Sequence, residues 1–193
     1  MSVTQFWDEM YRDLSAEVIE AAKLLPAGAR ALDLGCGDGR NPLFLAAQGF
    51  KVTAVDISPV GVAKTQQFAA EQGLVINVLV QDMREFTFDT DYHLIVSMGC
   101  LHLIEREYWQ PLLRQIQAHT CPGGYNAIGI MTDALPAPDD QRDFYIGLFK
   151  EGELFDYYVD WEILSQQSVQ FHDEHPNGIR HHHAGDCILA RKL

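Results

Sequence analysis

The sequence predicts an α/β domain built on a mostly parallel sheet with helices on both faces. Strand-like and helix-like segments alternate from residue 30 to residue 131, the order expected of a parallel sheet with helical crossovers. A strand-like run at 30–34 leads into a glycine-rich turn and a helix start. Further on, alternating residues flank Asn177-Gly178, a strong signal for an antiparallel hairpin. With 193 residues, the chain is expected to form one domain.

A turn with glycines at alternate positions follows the first predicted strand. Asp33 precedes this turn, which contains Gly35, Gly37 and Gly39. Glycine suits a backbone that adopts positive φ or lies close to a ligand, and the next helix offers free N–H groups. A dinucleotide fingerprint would place a glycine at Arg40, and the carboxylate of Asp33 would repel a pyrophosphate. The turn is therefore predicted to hold a cationic ligand.

Two more acids stand at the ends of later strands. Asp56 ends the run 51–55 and lies 19 residues beyond Gly37, a spacing typical of a βαβ unit. An acid in this place can accept hydrogen bonds from both hydroxyls of a ribose. Asp82 follows the third predicted strand, 74–80. These two carboxylates favour a ligand that contains adenosine.

The loop after the fourth strand is predicted to border the reacting centre. This strand spans 92–97, and open α/β sheets bind ligands beyond the carboxyl ends of their strands. Cys100 and His102 follow there and are candidate substrate-pocket residues. Because His102 has apolar neighbours, packing in the core is the competing interpretation.

Three segments are distinguished within the single domain. Residues 1–25 form a helical segment, and residues 30–131 carry the alternating core. Residues 132–193 contain a surface loop, an aromatic-rich segment with a helix, and the hairpin. Pro122-Gly123-Gly124 is predicted to be a turn before a strand at 125–131.

Composition narrows the class of partner. Acidic residues number 27 against 14 Lys and Arg, a net charge of −13, so no nucleic-acid partner is expected. The four cysteines form no C-x-x-C pair, which favours free thiols over a zinc ribbon or a disulfide framework. No signal peptide and no membrane-spanning apolar run is recognised. We therefore expect a cytoplasmic monomer or homodimer that acts on a small molecule, without a membrane partner.

The turn Asp33-x-Gly35-x-Gly37-x-Gly39 resembles motif I of the class I S-adenosylmethionine-dependent methyltransferases. Over nearly the whole chain, the sequence is similar more narrowly to the tellurite-resistance (TehB-like) methyltransferases. Five motifs in the same order carry this likeness: 33–41, 122–126, 149–154, Asn177-Gly178-x-Arg180, and 189–192. The resemblance implies a Rossmann-like, seven-stranded sheet with an antiparallel last strand. It also implies S-adenosyl-L-methionine as cofactor, and methyl transfer linked to detoxification of tellurium and selenium oxyanions.

The motifs and the resemblance together give a candidate cofactor site. Its predicted members are Asp33, Gly35, Cys36, Gly37, Gly39, Arg40, Asp56, Ile57, Asp82, Met83, Ser97 and Met98. By resemblance, Asp82 and Met83 would hold the adenine. Trp7 and Tyr11 resemble an aromatic lid over the cofactor, and the alternative is a helix that packs both rings on the sheet.

His172 and Arg180 match the active-site histidine and arginine of the family. The guanidinium fork of Arg180 suits an anionic acceptor, and His172 is a candidate to orient the acceptor or take its proton. The family has an arginine after this histidine, whereas Asp173 stands here and would repel an oxyanion. A strict two-residue turn at Asn177-Gly178 would pair His172 with His183. The predicted catalytic pair would then lie on opposite faces, unless a bulge or a longer loop intervenes.

The hairpin also carries a cluster of histidines, namely His172, His175, His181, His182 and His183. Transfer from a sulfonium needs no metal, so solvated histidines are the preferred interpretation and no metal site is predicted. Three other functions stay open: methyl transfer to a thiol or another metabolite, an NAD-binding oxidoreductase, and a non-catalytic protein that binds a cofactor or a metal.

Overall fold

The computed structural model describes residues 14–174 and 180–193. Seven strands form one sheet: Arg30–Leu34 (β1), Lys51–Asp56 (β2), Ile76–Val80 (β3), Tyr92–Met98 (β4), Thr120–Met131 (β5), Glu162–Glu174 (β6) and Arg180–Arg191 (β7). The described helices are Ala16–Leu24 (α1), Arg40–Ala47 (α2), Pro59–Glu71 (α3), Arg106–Ala118 (α4) and Glu153–Asp156 (α5). Short 3₁₀ turns lie at Met83–Glu85, Leu101–Leu103 and Arg142–Phe144.

The strands lie in the order β3-β2-β1-β4-β5-β7-β6. β7 runs antiparallel to both its neighbours, whereas β1 to β5 pair in parallel. The predicted α/β fold, with a mostly parallel seven-stranded sheet and an antiparallel last strand, is confirmed. From β1 the chain builds the sheet outward through β2 and β3 on one side, and then crosses over to β4 and β5 on the other side. Open α/β sheets bind ligands beyond the carboxyl ends of the strands at such a switch point. The fold therefore places the site at the turns after β1 and β4.

Two apolar layers cover the sheet. One contains residues of α4 and the segment around α5, where the rings of Trp109 and Phe149 stack with centroids 3.7 Å apart. The other joins α1 and α2 to the opposite face through Val18, Phe44 and Leu45. α1 begins where the Ser15 hydroxyl accepts a hydrogen bond from the Val18 N–H at 3.3 Å. The two layers hold the strand ends rigidly beneath the site.

Two elements differ from the sequence prediction. The segment Pro122-Gly123-Gly124 lies inside β5 and not before it. Gly123 has a φ of +75°, and the pairing with β4 shifts register between Tyr92 and Leu94, so the glycines create an irregularity within the strand. The helix predicted from Lys150 onward is α5 alone, four residues long. Within the described parts of the chain, no helix has the length and apolar character needed to cross a bilayer.

Candidate active site

Two cavities meet at Gly35, at the carboxyl ends of the central strands. The larger, of about 530 Å³, extends over the glycine turn toward Met98, Gly129 and Cys187. The smaller, of about 320 Å³, extends from Gly35 over the ends of β2 and β3. A ligand with two dissimilar halves can therefore lie across the strand ends, with its middle at Gly35.

The glycines of the turn have different reasons to be glycine. Gly35, Gly37 and Gly39 all have positive φ, at +79°, +56° and +95°. A Cβ on Gly35 would come within 2.5 Å of the Cys100 Sγ, and a Cβ on Gly39 would collide with Thr65. A Cβ on Gly37 would meet no described atom within 4 Å. Packing therefore explains two of the glycines, whereas Gly37 leaves open space at the cavity, as a bound ligand requires.

The carboxylate of Asp33 is buried beneath the turn. Its side chain has no exposed surface, and neither oxygen accepts a hydrogen bond of ordinary geometry from any residue in the described ranges. Burial raises the pKa of Asp33 from 3.8 to about 7, the Asn41 amide partly opposes this rise, and Asp56 adds to it. A buried acid without a partner costs free energy unless a cation approaches. Asp33 therefore fits a ligand with a positively charged centre.

Asp56 binds the glycine turn directly. Its Oδ2 accepts a hydrogen bond from the Gly37 N–H at 2.7 Å, and its Oδ1 accepts one from the Ser58 N–H at 2.8 Å. Each carboxylate oxygen has a further lone pair, so the side chain can still accept the hydroxyls of a ribose. Asp56 lines the smaller cavity, as its predicted role requires.

The smaller cavity has an apolar rim. Ile57, Leu103 and Ile146 line it, and their exposed fractions are 65%, 41% and 51%. A flat base would bury these side chains and the neighbouring Met83. Asp82 is held by Arg84, whose guanidinium donates to both carboxylate oxygens, and this pairing lowers the pKa of Asp82. The cavity thus combines apolar walls with an ionised, oriented carboxylate.

Some of the other predicted cofactor residues line a cavity, and others pack behind Gly35. Cys36, Arg40 and Met98 line the larger cavity. Ser97 is fully buried and is not among the residues that line either cavity, and its hydroxyl lies 3.0 Å from the Cys100 Sγ. Cys100 was predicted for the substrate pocket, but it lines the smaller cavity and donates to the Leu34 carbonyl at 3.0 Å. Ser97 and Cys100 therefore support Gly35 from behind.

His102 lies where a substrate-pocket residue was predicted. It lines a third cavity of about 300 Å³, which shares Gly99 and Met131 with the larger cavity over the glycine turn. Tyr145 also lines this third cavity, and sequence reasoning missed it. Its only sequence signal was the aromatic-rich stretch that begins at Phe144.

The predicted catalytic pair shares one face of the hairpin. His172 pairs with His182 and Glu174 pairs with Arg180, a register one residue away from that of a strict two-residue turn. Because directly paired residues project to the same face, His172 and Arg180 do so too. The pairing is therefore not that of a strict two-residue turn, and the condition under which the two side chains would lie on opposite faces is not met.

The face that His172 and Arg180 share is not the one that lines the described cavities. Val169 and Phe171 of β6 line the larger cavity with Gly185 of β7, and they alternate with His172 and its partner His182. The rings of His172 and His182 stack, with centroids 4.2 Å apart, and both side chains are exposed. The structure therefore brings the pair together but apart from these cavity walls.

The last two predictions concern the aromatic lid and a metal site. Trp7 and Tyr11, the predicted aromatic lid, lie outside the described residues. Within residues 14–174 and 180–193, no group of three His, Cys, Asp or Glu side chains is arranged to hold a metal ion. His181 instead pairs with Asp140, whose carboxylate oxygens lie 2.9 and 3.1 Å from its Nε2.

A family model described as "Tellurite resistance protein TehB" matches residues 3–184. The chain belongs to the TehB family. A relative from Haemophilus influenzae, named "Probable S-adenosyl-L-methionine-dependent methyltransferase TehB", is 32% identical to this chain over 183 residues. The alignment covers 93% of this chain and 62% of that relative, so the chain spans about three fifths of the length of the relative.

Solved structures agree with this assignment. The crystal structure of TehB from Haemophilus influenzae superposes with a TM-score of 0.82 at 30% identity, over 93% of the TehB-family chain and 63% of the other. The N-methyltransferase NodS from Bradyrhizobium japonicum, in complex with S-adenosyl-L-homocysteine, gives a TM-score of 0.71 at 17% identity, over 95% and 87% of the two chains. This second likeness shows the fold alone. The family is one of class I S-adenosylmethionine-dependent methyltransferases, whose cofactor fits the unpartnered Asp33 carboxylate and the open space at Gly37.

Proposed function

We propose that this chain is a cytoplasmic methyltransferase that moves a methyl group from S-adenosyl-L-methionine to a small, soft acceptor. The observation that carries the proposal is the fully buried Asp33 carboxylate, which accepts no hydrogen bond of ordinary geometry from the described residues and lies two residues before Gly35, where the two cavities meet. A cationic donor that also contains adenosine satisfies both features. Dinucleotides fit less well, because they would bring a pyrophosphate toward the same carboxylate.

The residues divide the work of binding. Asp56 and the apolar rim at Ile57 and Leu103 would hold the nucleoside, while Gly37 and Arg40, which line the larger cavity, would hold the amino-acid half. Asp33 lines neither cavity, so its charge would act on the donor from behind the turn. The bound donor supplies a methyl group on an electrophilic sulfonium. The protein contributes alignment and exclusion of water, since an in-line displacement depends on both more than on a strong base.

Tellurite is the acceptor that the family description suggests, selenite is its chemical analogue, and a small thiol is the second candidate. A planar guanidinium such as that of Arg180 binds oxyanions well, but Arg180 and His172 share the hairpin face opposite to the one that lines the larger cavity. The uncharged cavity beside His102 supports a neutral acceptor. We propose no nucleic-acid partner, since the chain has a net charge of −13.

The test is acceptor-dependent formation of S-adenosylhomocysteine by the purified chain. The protein is incubated with S-adenosylmethionine and, in separate assays, with tellurite, selenite or 2-mercaptoethanol. We expect product with at least one acceptor, and none with Asp56→Ala. Failure of the wild-type chain to bind S-adenosylhomocysteine would overturn the proposal.

A further inference from the structure

A third, small cavity adjoins both cavities over the strand ends, and it shares Leu103 with the cavity that Asp56 lines. Its volume is about 300 Å³, and it opens onto the larger cavity at Gly99 and Met131, which line both. Its other described walls are His102, Leu103, Gln141, Phe144 and Tyr145. This volume lies at the lower end of the range for small-molecule sites, so the chamber has room for a small acceptor. A reactive group bound over Gly99 would face this chamber.

The walls of this chamber are uncharged. None of the described residues that line it is a Lys, Arg, Asp or Glu. Burial, with a smaller contribution from the neighbouring His183, lowers the pKa of His102 to about 4, so His102 is neutral near pH 7. Its Nδ1 accepts a hydrogen bond from the Met131 N–H at 3.3 Å, which leaves the ring proton on Nε2. An oxyanion would find no counter-charge here, whereas the thioether of Met131 and the aromatic rings suit a polarisable atom.

The hydroxyl of Tyr145 has a buried imidazole behind it. The Tyr145 oxygen lies 3.2 Å from the His183 Nδ1, and the two rings are within 10° of parallel. His183 is 4% exposed and also packs against Phe171, which lines the larger cavity. Since Phe171 pairs with His183 across the hairpin, both project to the cavity face, opposite to His172. A phenol at the cavity wall thus hydrogen-bonds to a group that can take a proton.

We propose that this chamber is the acceptor subsite for a small, uncharged thiol or selenol, and that the Tyr145–His183 pair receives its proton. The proposal rests on the methyltransferase function proposed above and names the acceptor class for that site. It assigns proton transfer to the face of the hairpin opposite to His172 and Arg180.

The step balances without any further reactant. The acceptor S–H or Se–H donates its proton to the Tyr145 oxygen, and the Tyr145 proton moves to the Nδ1 of His183. The acceptor forms a bond to the methyl carbon, and the electron pair of the broken carbon–sulfur bond stays on the donor sulfur. The positive charge moves from the sulfonium to the imidazolium. A free thiol is mostly protonated near neutral pH, so a proton acceptor has a reason to be present.

Two variants test the pair without changing its shape much. Tyr145→Phe keeps the ring and removes the hydroxyl, and His183→Asn keeps a polar atom near Nδ1 that cannot take a proton. With 2-mercaptoethanol as acceptor, we expect Tyr145→Phe to lower kcat about a hundredfold and His183→Asn to lower it at least about tenfold. The Kd of S-adenosylhomocysteine should stay within about twofold of wild type by calorimetry, because neither residue lines the two cavities over Gly35. The matched control is Tyr157→Phe, whose ring packs on Trp109 away from the chamber.

A second readout does not depend on turnover. In the complex with S-adenosylhomocysteine, the ring nitrogen resonances of His183, assigned with His183→Asn, should shift when 2-mercaptoethanol is added, and should not shift in Tyr145→Phe. Unchanged resonances in the wild type would overturn the proposal, as would faster turnover of tellurite or selenite than of the thiol. A Tyr145→Phe variant with wild-type kcat would overturn it as well. All three results leave the methyltransferase function standing when S-adenosylhomocysteine binds, whereas absence of that binding removes both proposals.

Discussion

The carboxylate of Asp56 holds the backbone N–H of Gly37 at 2.7 Å, across the 19 residues that separate them in sequence. This hydrogen bond ties the end of β2 to the turn after β1. The same side chain also accepts from the Ser58 N–H, which precedes α3. One carboxylate therefore fixes the shape of the glycine turn and presents itself to the ribose end of the smaller cavity.

Asp56→Ala is expected to weaken cofactor binding and to loosen the turn. Each hydrogen bond to a charged acceptor contributes about 1.5–3 kcal/mol, and the variant loses two within the protein as well as any to the ribose. We expect the Kd of S-adenosylhomocysteine to rise at least about a hundredfold by calorimetry. The control is Asp89→Asn, an exposed acid outside the two cavities. Unchanged affinity in Asp56→Ala would contradict the assignment of the ribose end.

Asp33→Asn is expected to stabilise the protein while it weakens cofactor binding. Burial raises the pKa of Asp33 to about 7 in the native protein from the ordinary 3.8 of an aspartate, so the native state binds more protons than the unfolded state between these pH values. The contribution of Asp33 to the free energy of unfolding is therefore fully present below about pH 4 and is lost as the pH rises through 7. The free energy of unfolding of Asp33→Asn should exceed that of the wild type by up to about 4 kcal/mol at pH 8 and by little at pH 3.

Denaturant unfolding at several pH values measures this difference, and exposed Asp143→Asn serves as the control. In the wild type, affinity for S-adenosylmethionine should rise with pH through about 7, because the ionised carboxylate attracts the sulfonium. In Asp33→Asn this pH dependence should disappear. A difference in the free energy of unfolding between Asp33→Asn and the wild type that does not depend on pH would show that Asp33 is not an isolated buried acid.

Gly35→Ala and Gly37→Ala should separate packing from binding. Positive φ costs about 1–2 kcal/mol for alanine at either position. At Gly35 the new Cβ also meets the Cys100 Sγ at 2.5 Å, which adds about 1–3 kcal/mol, whereas at Gly37 it meets no described atom within 4 Å. We expect Gly35→Ala to lower the free energy of unfolding more, and Gly37→Ala to lose S-adenosylhomocysteine binding with modest destabilisation. Equal destabilisation of the two variants would contradict this division.

The cysteines should react with iodoacetamide in order of exposure. Burial raises the pKa of Cys100 to about 12 and raises that of Cys36, so both thiols are protonated at pH 8. Cys121 is partly exposed and should be modified before them. S-adenosylhomocysteine should slow Cys36 further, since Cys36 lines the larger cavity. Mass spectrometry of peptides measures the order, and rapid labelling of Cys100 would contradict the packing against Gly35.

Much of the cofactor site follows from local sequence chemistry. Asp33, Gly37 and Asp56 were predictable because strand ends, positive φ and the spacing of a βαβ unit are set by the nearby chain. Ser97 and Cys100 were assigned to the site by position in the sequence. Ser97 lies behind the wall because its hydroxyl, at the end of β4, is buried against Cys100, whereas Cys100 in the following turn packs against Gly35 and also lines the smaller cavity.

The acceptor side depends on contacts that no local pattern encodes. Register in the hairpin decides which face His172 shares, and a change of one residue in loop length reverses that face. Tyr145 lies in a loop without periodicity, so its contact with His183, 38 residues away, needs the path of the whole segment. Sequence reasoning therefore predicted a donor site from local patterns and left the acceptor site open.

The central claim is that the two cavities joined at Gly35 bind a cationic, adenosine-containing methyl donor. Isothermal titration of the purified chain with S-adenosylmethionine, S-adenosylhomocysteine and NADH, at pH 8, tests it most directly. The account predicts saturable binding of both sulfur compounds at one site per chain, tighter for the sulfonium, and no heat from NADH. Tighter binding of NADH, or no binding of either sulfur compound, would contradict it.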